Sequence, residues 1–241
     1  MNNKKYNIVI PSDANLLYRT LAELHMRGTA DDIVQYEAIG SGVVIAVLLC
    51  VGMQPDSIAT ELLPTHILDV GQSDLNLLVR STIGHKLVEC YSIVPSLGEL
   101  YELCGQKVLN LHVYNATTRK LEVLNYLTCP DMDTTVACSM AYNLGATRCK
   151  YDYCGNVYTD ASLFHKYLFE CSDRKLVCIH TRSSYSIRPE SPECYYKCAA
   201  DRAREHHISA MQVPNMEVVV LDVDSDPYDS SLHSKVAMLT M

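Results

Sequence analysis

Apolar and polar positions along the chain fall into blocks with different periods. Tyr6 to Ile10 (YNIVI) alternates and is β-branched, which predicts a buried strand; Ser12 or Asp13 then caps a helix carrying Leu16, Leu17, Leu21 and Leu24 and ending near Gly28. Residues 33–39 (IVQYEAI) predict a second strand. Gly40-Ser41-Gly42 follows, and then VVIAVLLCVG, apolar on every side. A helix with no polar face belongs in the centre of a domain. Gly52 fits a C-cap, and Pro55 with Asp56 opens a further helix through about Leu63. After a polar stretch from Asp69 to Asn76, Ser96-Leu97-Gly98-Glu99 has capping-box spacing and starts a short helix that stops at Gly105.

Residues 107–114 (KVLNLHVY) and 121–127 (LEVLNYL) read as two strands of a hairpin, joined by the turn-like NATTRK. A helix over Asp131 to Tyr142 is expected next, then short pieces CKYDY and NVYT around Gly155, a helix over Leu163 to Phe169 and a strand from Lys175 to His180. Between Thr181 and Pro214 the chain turns polar and charged, with a helix over Glu193 to His207; MEVVVLDV at 216–223 predicts a last buried strand. Strands alternating with helices imply an α/β domain with a largely parallel sheet covered on both faces. At 241 residues the expectation is a single domain spanning 1–241, and no internal repeat interrupts it.

Composition narrows the classes. Forty-eight percent apolar and 20% charged residues exclude wholesale disorder and a fibrous repeat. The net charge of −8 argues against a general nucleic-acid binder and against a polybasic membrane anchor. The longest apolar run, Val43 to Val51, is nine residues. That is far short of the ~20 needed to span a bilayer, so no transmembrane segment is expected. Eleven cysteines is an odd number, and MNNKKYNIVIPSD has neither the apolar stretch nor the cleavage site of a signal peptide. The cysteines therefore read as reduced thiols of a cytoplasmic protein.

The strand, glycine-containing turn and apolar helix at 33–52 have the layout of a nucleophile elbow, in which a G-x-S-x-G serine sits on a strained turn. Here the sequence resembles the patatin-like phospholipases, through IGSGVVIAVLLCVGMQPDSI, through SLGELYELCGQKVLNLHVYNATTRKLEVLNYLTCPDMDTTVACSMA and through GNVYTDASL. Three pieces in the family's order cover most of residues 6–180, and the likeness fades over the polar segment 181–214. It implies a three-layer domain related to the α/β-hydrolases. It also implies a serine–aspartate dyad that hydrolyses lipid acyl esters, with a glycine-rich oxyanion loop after the first strand.

Carried over position by position, that chemistry is missing. Gly42 falls on the second elbow glycine, which puts Gly40 at the nucleophile and Ala38 at the first elbow glycine. Gly40 has nothing to acylate. The dyad aspartate falls on Asp160, followed by Ala161 and Ser162 where the family has two glycines. The oxyanion loop position holds Pro11, Ser12 and Asp13. Proline has no N–H to donate, and a carboxylate is the wrong charge beside a developing oxyanion. Losing one oxyanion donor costs about 10²–10³ in turnover, whereas losing the nucleophile removes the covalent route. Glycine also accepts the strained elbow backbone without cost, so the turn survives as architecture.

The expected function is thus a catalytically inactive patatin-like protein acting as a structural or protein-interaction component. A large assembly such as a cytoplasmic DNA virus particle would suit it, in host cytoplasm or virion. The competing reading is an active lipid acyl hydrolase with Ser41 as nucleophile and Asp160 as its base. In that reading Ile39 and Val43, both β-branched, would flank the serine where close approach needs glycine. Otherwise Ser41 simply begins the helix and Asp160 is a turn carboxylate. A third reading keeps lipid binding without hydrolysis.

Other chemistry is weaker. Cys194, Cys198, His206 and His207 fit no standard zinc spacing, so neither a metal nor a cofactor is expected. Cys138 and Cys154 lie near the site pieces without a histidine partner in the sequence. Tyr195 and Tyr196 beside DRAR read as a contact surface, which makes 181–214 the expected protein-binding segment, and the acidic run Asp222 to Asp229 reads as solvated.

Overall fold

The computed structural model of the protein describes residues 6–10, 33–40, 42–53, 57–58, 72–142, 151–161, 175–182 and 216–222. Its strands are β1 (Tyr6–Ile10), β2 (Ile33–Ile39), β3 (Val108–Asn115), β4 (Lys120–Leu124), β5 (Tyr151–Tyr153), β6 (Asn156–Asp160), β7 (Lys175–Arg182) and β8 (Met216–Asp222). They form one eight-stranded sheet in the order β5-β6-β3-β2-β1-β7-β8, with β4 also paired to β3. From β3 to β8 every pairing is parallel, as the strand–helix alternation implies. β4, β5 and β6 add antiparallel pairings at the other side. The β3–β4 and β5–β6 pairs are hairpins, which need no crossover, whereas β3 and β6 are brought together from separate parts of the chain. Cys154 (φ 49°) and Gly155 (φ 79°) make the second of these turns. Positive φ at both central residues is what a two-residue type I′ hairpin requires.

The apolar run after β2 is α1 (Gly42–Cys50), and every residue in it but Leu49 is buried. It lies against β1, β2 and β3. Gly52 ends it at φ +84°: its N–H donates to the Leu49 carbonyl at 3.0 Å, and the Met53 N–H to that of Leu48 at 2.9 Å. This is a Schellman ending, which satisfies carbonyls the helix leaves open. The capping box also forms. Ser96 accepts from the Glu99 N–H and Glu99 accepts from the Ser96 N–H, opening α3 (Leu97–Leu103). The helix expected over Asp131 to Tyr142 is shorter, α4 (Thr134–Ala141), because the Asp133 carboxylate accepts from the N–H groups of Thr135 and Val136 and so fixes the start.

One element departs from the sequence reading. Where a polar stretch at 69–76 and unassigned chain were expected, α2 runs from Gln72 to Tyr91. Ile83 and Leu87 are fully buried one turn apart, with Tyr91 partly buried a turn further on. Gly84 lies on this seam facing α4: a Cβ built on it would lie 3.5 Å from Thr135 Cγ2. That is ordinary contact, so Gly84→Ala should raise stability by about 0.5–1 kcal/mol through helix propensity. Gly98→Ala should do the reverse, since its Cβ would meet the Pro130 carbonyl oxygen at 3.0 Å and backbone cannot swing aside. Paired urea melts check both signs.

The remaining helices expected from the sequence, over 12–28, 163–169 and 193–207, lie outside the described residues. Of the helix expected through Leu63, Ser57 and Ile58 are described; both are helical, and Ile58 is buried.

Candidate functional site

Two residues singled out from the sequence are brought together by strand register. β2 pairs with β3 from Gln35 opposite Val108 to Ile39 opposite His112. β6 pairs with β3 in the opposite sense, ending with Asp160 opposite Val113. β4 also pairs with Leu111 through Asn115 of β3. A strand has only two edges, so β4 occupies one and β2 and β6 share the other. The latter two run toward each other along that edge and stop at adjacent positions, His112 and Val113. Adjacent positions are about 3.3 Å apart along a strand. Asp160 therefore stands at the end of β2, where Gly40 turns the chain.

The chain turns at Gly40 in a left-handed conformation. Gly40 is buried at φ 53°, in the left-handed region, and its carbonyl accepts from the Val43 N–H at 3.1 Å to start α1. β1 ends level with it, Ile10 lying opposite Ala38. β1 and β2 therefore end on the same side of the sheet. Pro11, Ser12, Asp13 and Ser41 themselves lie outside the described residues.

The thiols near these pieces have structural surroundings. Cys138 is buried in α4, and burial pushes its thiol well above the ordinary range. Cys154 is exposed at the tip of the β5–β6 hairpin. Among the described residues no three metal-ligating side chains cluster, and Cys194, Cys198, His206 and His207 fall outside them.

Sequence reasoning missed a polar cluster beside the elbow. Glu37, three residues before Gly40, is 7% exposed. Its carboxylate accepts from Gln35 Nε2 and from Asn110 Nδ2, the latter at 2.7 Å, and lies 2.5 Å from His112 Nε2. Asn125 Nδ2 donates to Asn110 Oδ1 at 2.8 Å and so carries the network onto the segment after β4. The cluster ties β2 to β3 on the positions that alternate with buried Leu109, Leu111 and Val113. Its signal was present as polar residues in period 2, Asn110 and His112 in one strand and Gln35 and Glu37 in another. Only the register shows that they meet.

The sheet and its helices form a mixed α/β domain with the fold of patatin-like phospholipase domains. Among solved structures, VipD from Legionella pneumophila shares it with a TM-score of 0.52 at 13% identity, over 97% of this chain and 64% of VipD. Weaker likenesses are to full-length ExoU in complex with SpcU, from the type III secretion system of Pseudomonas aeruginosa. One such structure gives a TM-score of 0.45 at 13% identity over 86% of this chain and 52% of the other. A second gives 0.47 at 11% over 98% and 50%. This chain therefore spans less than two thirds of the length of each. No family model matches the sequence, and no curated protein matches it.

Proposed function

We propose that this chain is a patatin-like domain whose acyl-hydrolase chemistry has been lost and whose fold serves as a structural or protein-binding component. The observation that supports this is Gly40: a glycine at φ 53° turns the chain at the end of β2, next to the end of β6 by register, at the position the family resemblance assigns to the nucleophile. The sequence of the loop leaving β1 supports the reading, because Pro11 cannot donate and Asp13 would repel a developing oxyanion. Losses at chemically distinct positions do not compensate one another. Among the described residues no helix is long and apolar enough to cross a membrane. We place the protein in the cytoplasm, in a large assembly such as a virus particle.

The partner surface belongs to the polar segment 181–214 in this reading. β7 and β8 are parallel neighbours, from Leu176 opposite Met216 to Arg182 opposite Asp222, so the chain between them is a crossover connection. Removing it would break the fold, and the surface is better tested by charge reversal at Arg202 and Arg204.

Turnover of a p-nitrophenyl ester and of a phospholipid tests the reading. Wild type and Gly40→Ser are both expected at the uncatalysed background, the latter because the loop at Pro11 is also lost. Wild-type turnover abolished by Ser41→Ala or Asp160→Ala would overturn the proposal; turnover by Gly40→Ser alone would show that the oxyanion donors survive.

A further inference from the structure

Among the described residues four large apolar side chains stand exposed, and three of them lie within three residues of one contact. Where α2 and α3 end, the Tyr91 hydroxyl lies 3.4 Å from Cys104 Sγ. Val88 (47% exposed) is three residues before Tyr91, Ile93 (49%) is two after it, and Leu103 (46%) adjoins Cys104. The fourth, Leu127, follows Tyr126, whose ring stacks on that of Tyr101 in α3. We propose that the junction of α2 and α3 is a protein-docking surface, which takes a partner segment presenting aliphatic side chains flanked by arginine or lysine.

Core packing does not account for these three. The α2 seam runs through Ile83, Leu87 and Tyr91 in steps of four, and Val88 stands about 100° round the helix from Leu87. In α3, Leu97 and Leu100 are buried, and the residue one turn on that returns to the core is half-buried Cys104, so Leu103 falls beside the stripe. Ser92 ends α2 at φ 64°, its N–H donating to the Val88 carbonyl at 2.8 Å; after it Val94 packs against the core and Ile93 is left to solvent. Single exposed apolar residues are ordinary on a protein surface, whereas a group of them with a polar rim marks an interaction site. Charge then selects the partner. From Leu87 to Gln106 the chain carries Glu89, Glu99 and Glu102 and no lysine or arginine. Lys86 at one border is tied to Glu89 at 3.0 Å, and Lys107 at the other is half-buried. Glu99 and Glu102 are exposed on α3, and Glu102 forms no ion pair among the described residues. Such a rim attracts a cationic partner and repels an anionic bilayer. A second copy of a chain with net charge −8 would set acid against acid. This surface uses neither Gly40 nor segment 181–214, and it stands whether or not hydrolysis is lost.

The test uses the whole chain and a fluorescein-labelled amphipathic peptide of leucine and arginine, followed by anisotropy at near-physiological salt, with the leucine–glutamate peptide beside it. Saturable binding of the arginine peptide is expected, and weaker or no binding of the glutamate one. Ile93→Gln, Leu103→Gln and Glu102→Lys should each weaken it about tenfold. Leu127→Gln and Asp152→Lys make the same kinds of change elsewhere on the surface and should alter it less than about twofold. All five positions are exposed, so the thermal midpoint should stay in place and a lost affinity is not a lost fold. No binding of the arginine peptide, or equal weakening by the two control variants, would overturn the proposal. So would the finding that Ile93→Gln and Leu103→Gln abolish self-association in sedimentation, or binding to phosphatidylserine vesicles, while leaving peptide affinity unchanged.

Discussion

Glu37→Ala is expected to lower stability by about 2–4 kcal/mol, which for a chain of this size shifts the thermal midpoint down by roughly 5–15 °C. The carboxylate is 7% exposed and serves Gln35, Asn110 and His112 at once. Truncation leaves each of these without its partner in a part-buried setting, and a buried polar group stripped of its hydrogen bond costs more than the bond itself contributes. Glu37→Gln keeps an acceptor oxygen and much of the shape, so its cost should be under half as large. A double-mutant cycle with His112→Ala separates the pair from the rest; a coupling of about 1–3 kcal/mol is expected. Additivity of the two single variants would show that the 2.5 Å contact carries no energy of its own.

Leu48→Ala should cost a similar amount or more, about 3–5 kcal/mol, because Leu48 is completely buried in a helix that is itself buried on nearly every face. The penalty combines lost transfer energy with a cavity that cannot collapse. α1 is held at one end by the Gly40 turn and at the other by the Gly52 ending. Leu49 next to it is only partly buried and supplies the control. Leu49→Ala should cost about 1 kcal/mol, with an unchanged denaturant slope in both variants. Equal losses at the two positions would mean that α1 is not seated as described.

What could be read in advance divides by the range of the interactions. β1, β2, α1 and the Ser96–Glu99 capping box are written in local pattern: alternation, an all-apolar run, and cap residues three apart. Each forms over the residues expected. α2 was illegible because its middle, Ser-Thr-Ile-Gly-His, is poor in helix formers and its seam is only Ile83 and Leu87. Its seam is covered by α4, which lies more than forty residues further along the chain. The Glu37 cluster was hidden for the same reason, since its partners lie 73 and 75 residues along the chain. Motif order assigns Gly40 and Asp160 to one site. That their backbones end at neighbouring positions was not legible, since it depends on β2 and β6 sharing one edge of β3.

The structure also changes the meaning of glycine at position 40. A side chain there would sit in a left-handed turn at a cost of about 1–3 kcal/mol, which an active enzyme must carry for its nucleophile. In the proposed inactive domain nothing opposes a residue that adopts φ 53° freely, and the α1 helix that follows the turn is packed in the core. The central claim is that the elbow is kept and the nucleophile is not. A fluorophosphonate probe tests it most directly: incubated with folded wild-type protein and followed by intact mass, it is expected to leave the chain unlabelled. Stoichiometric labelling that maps to Ser41 would contradict the account.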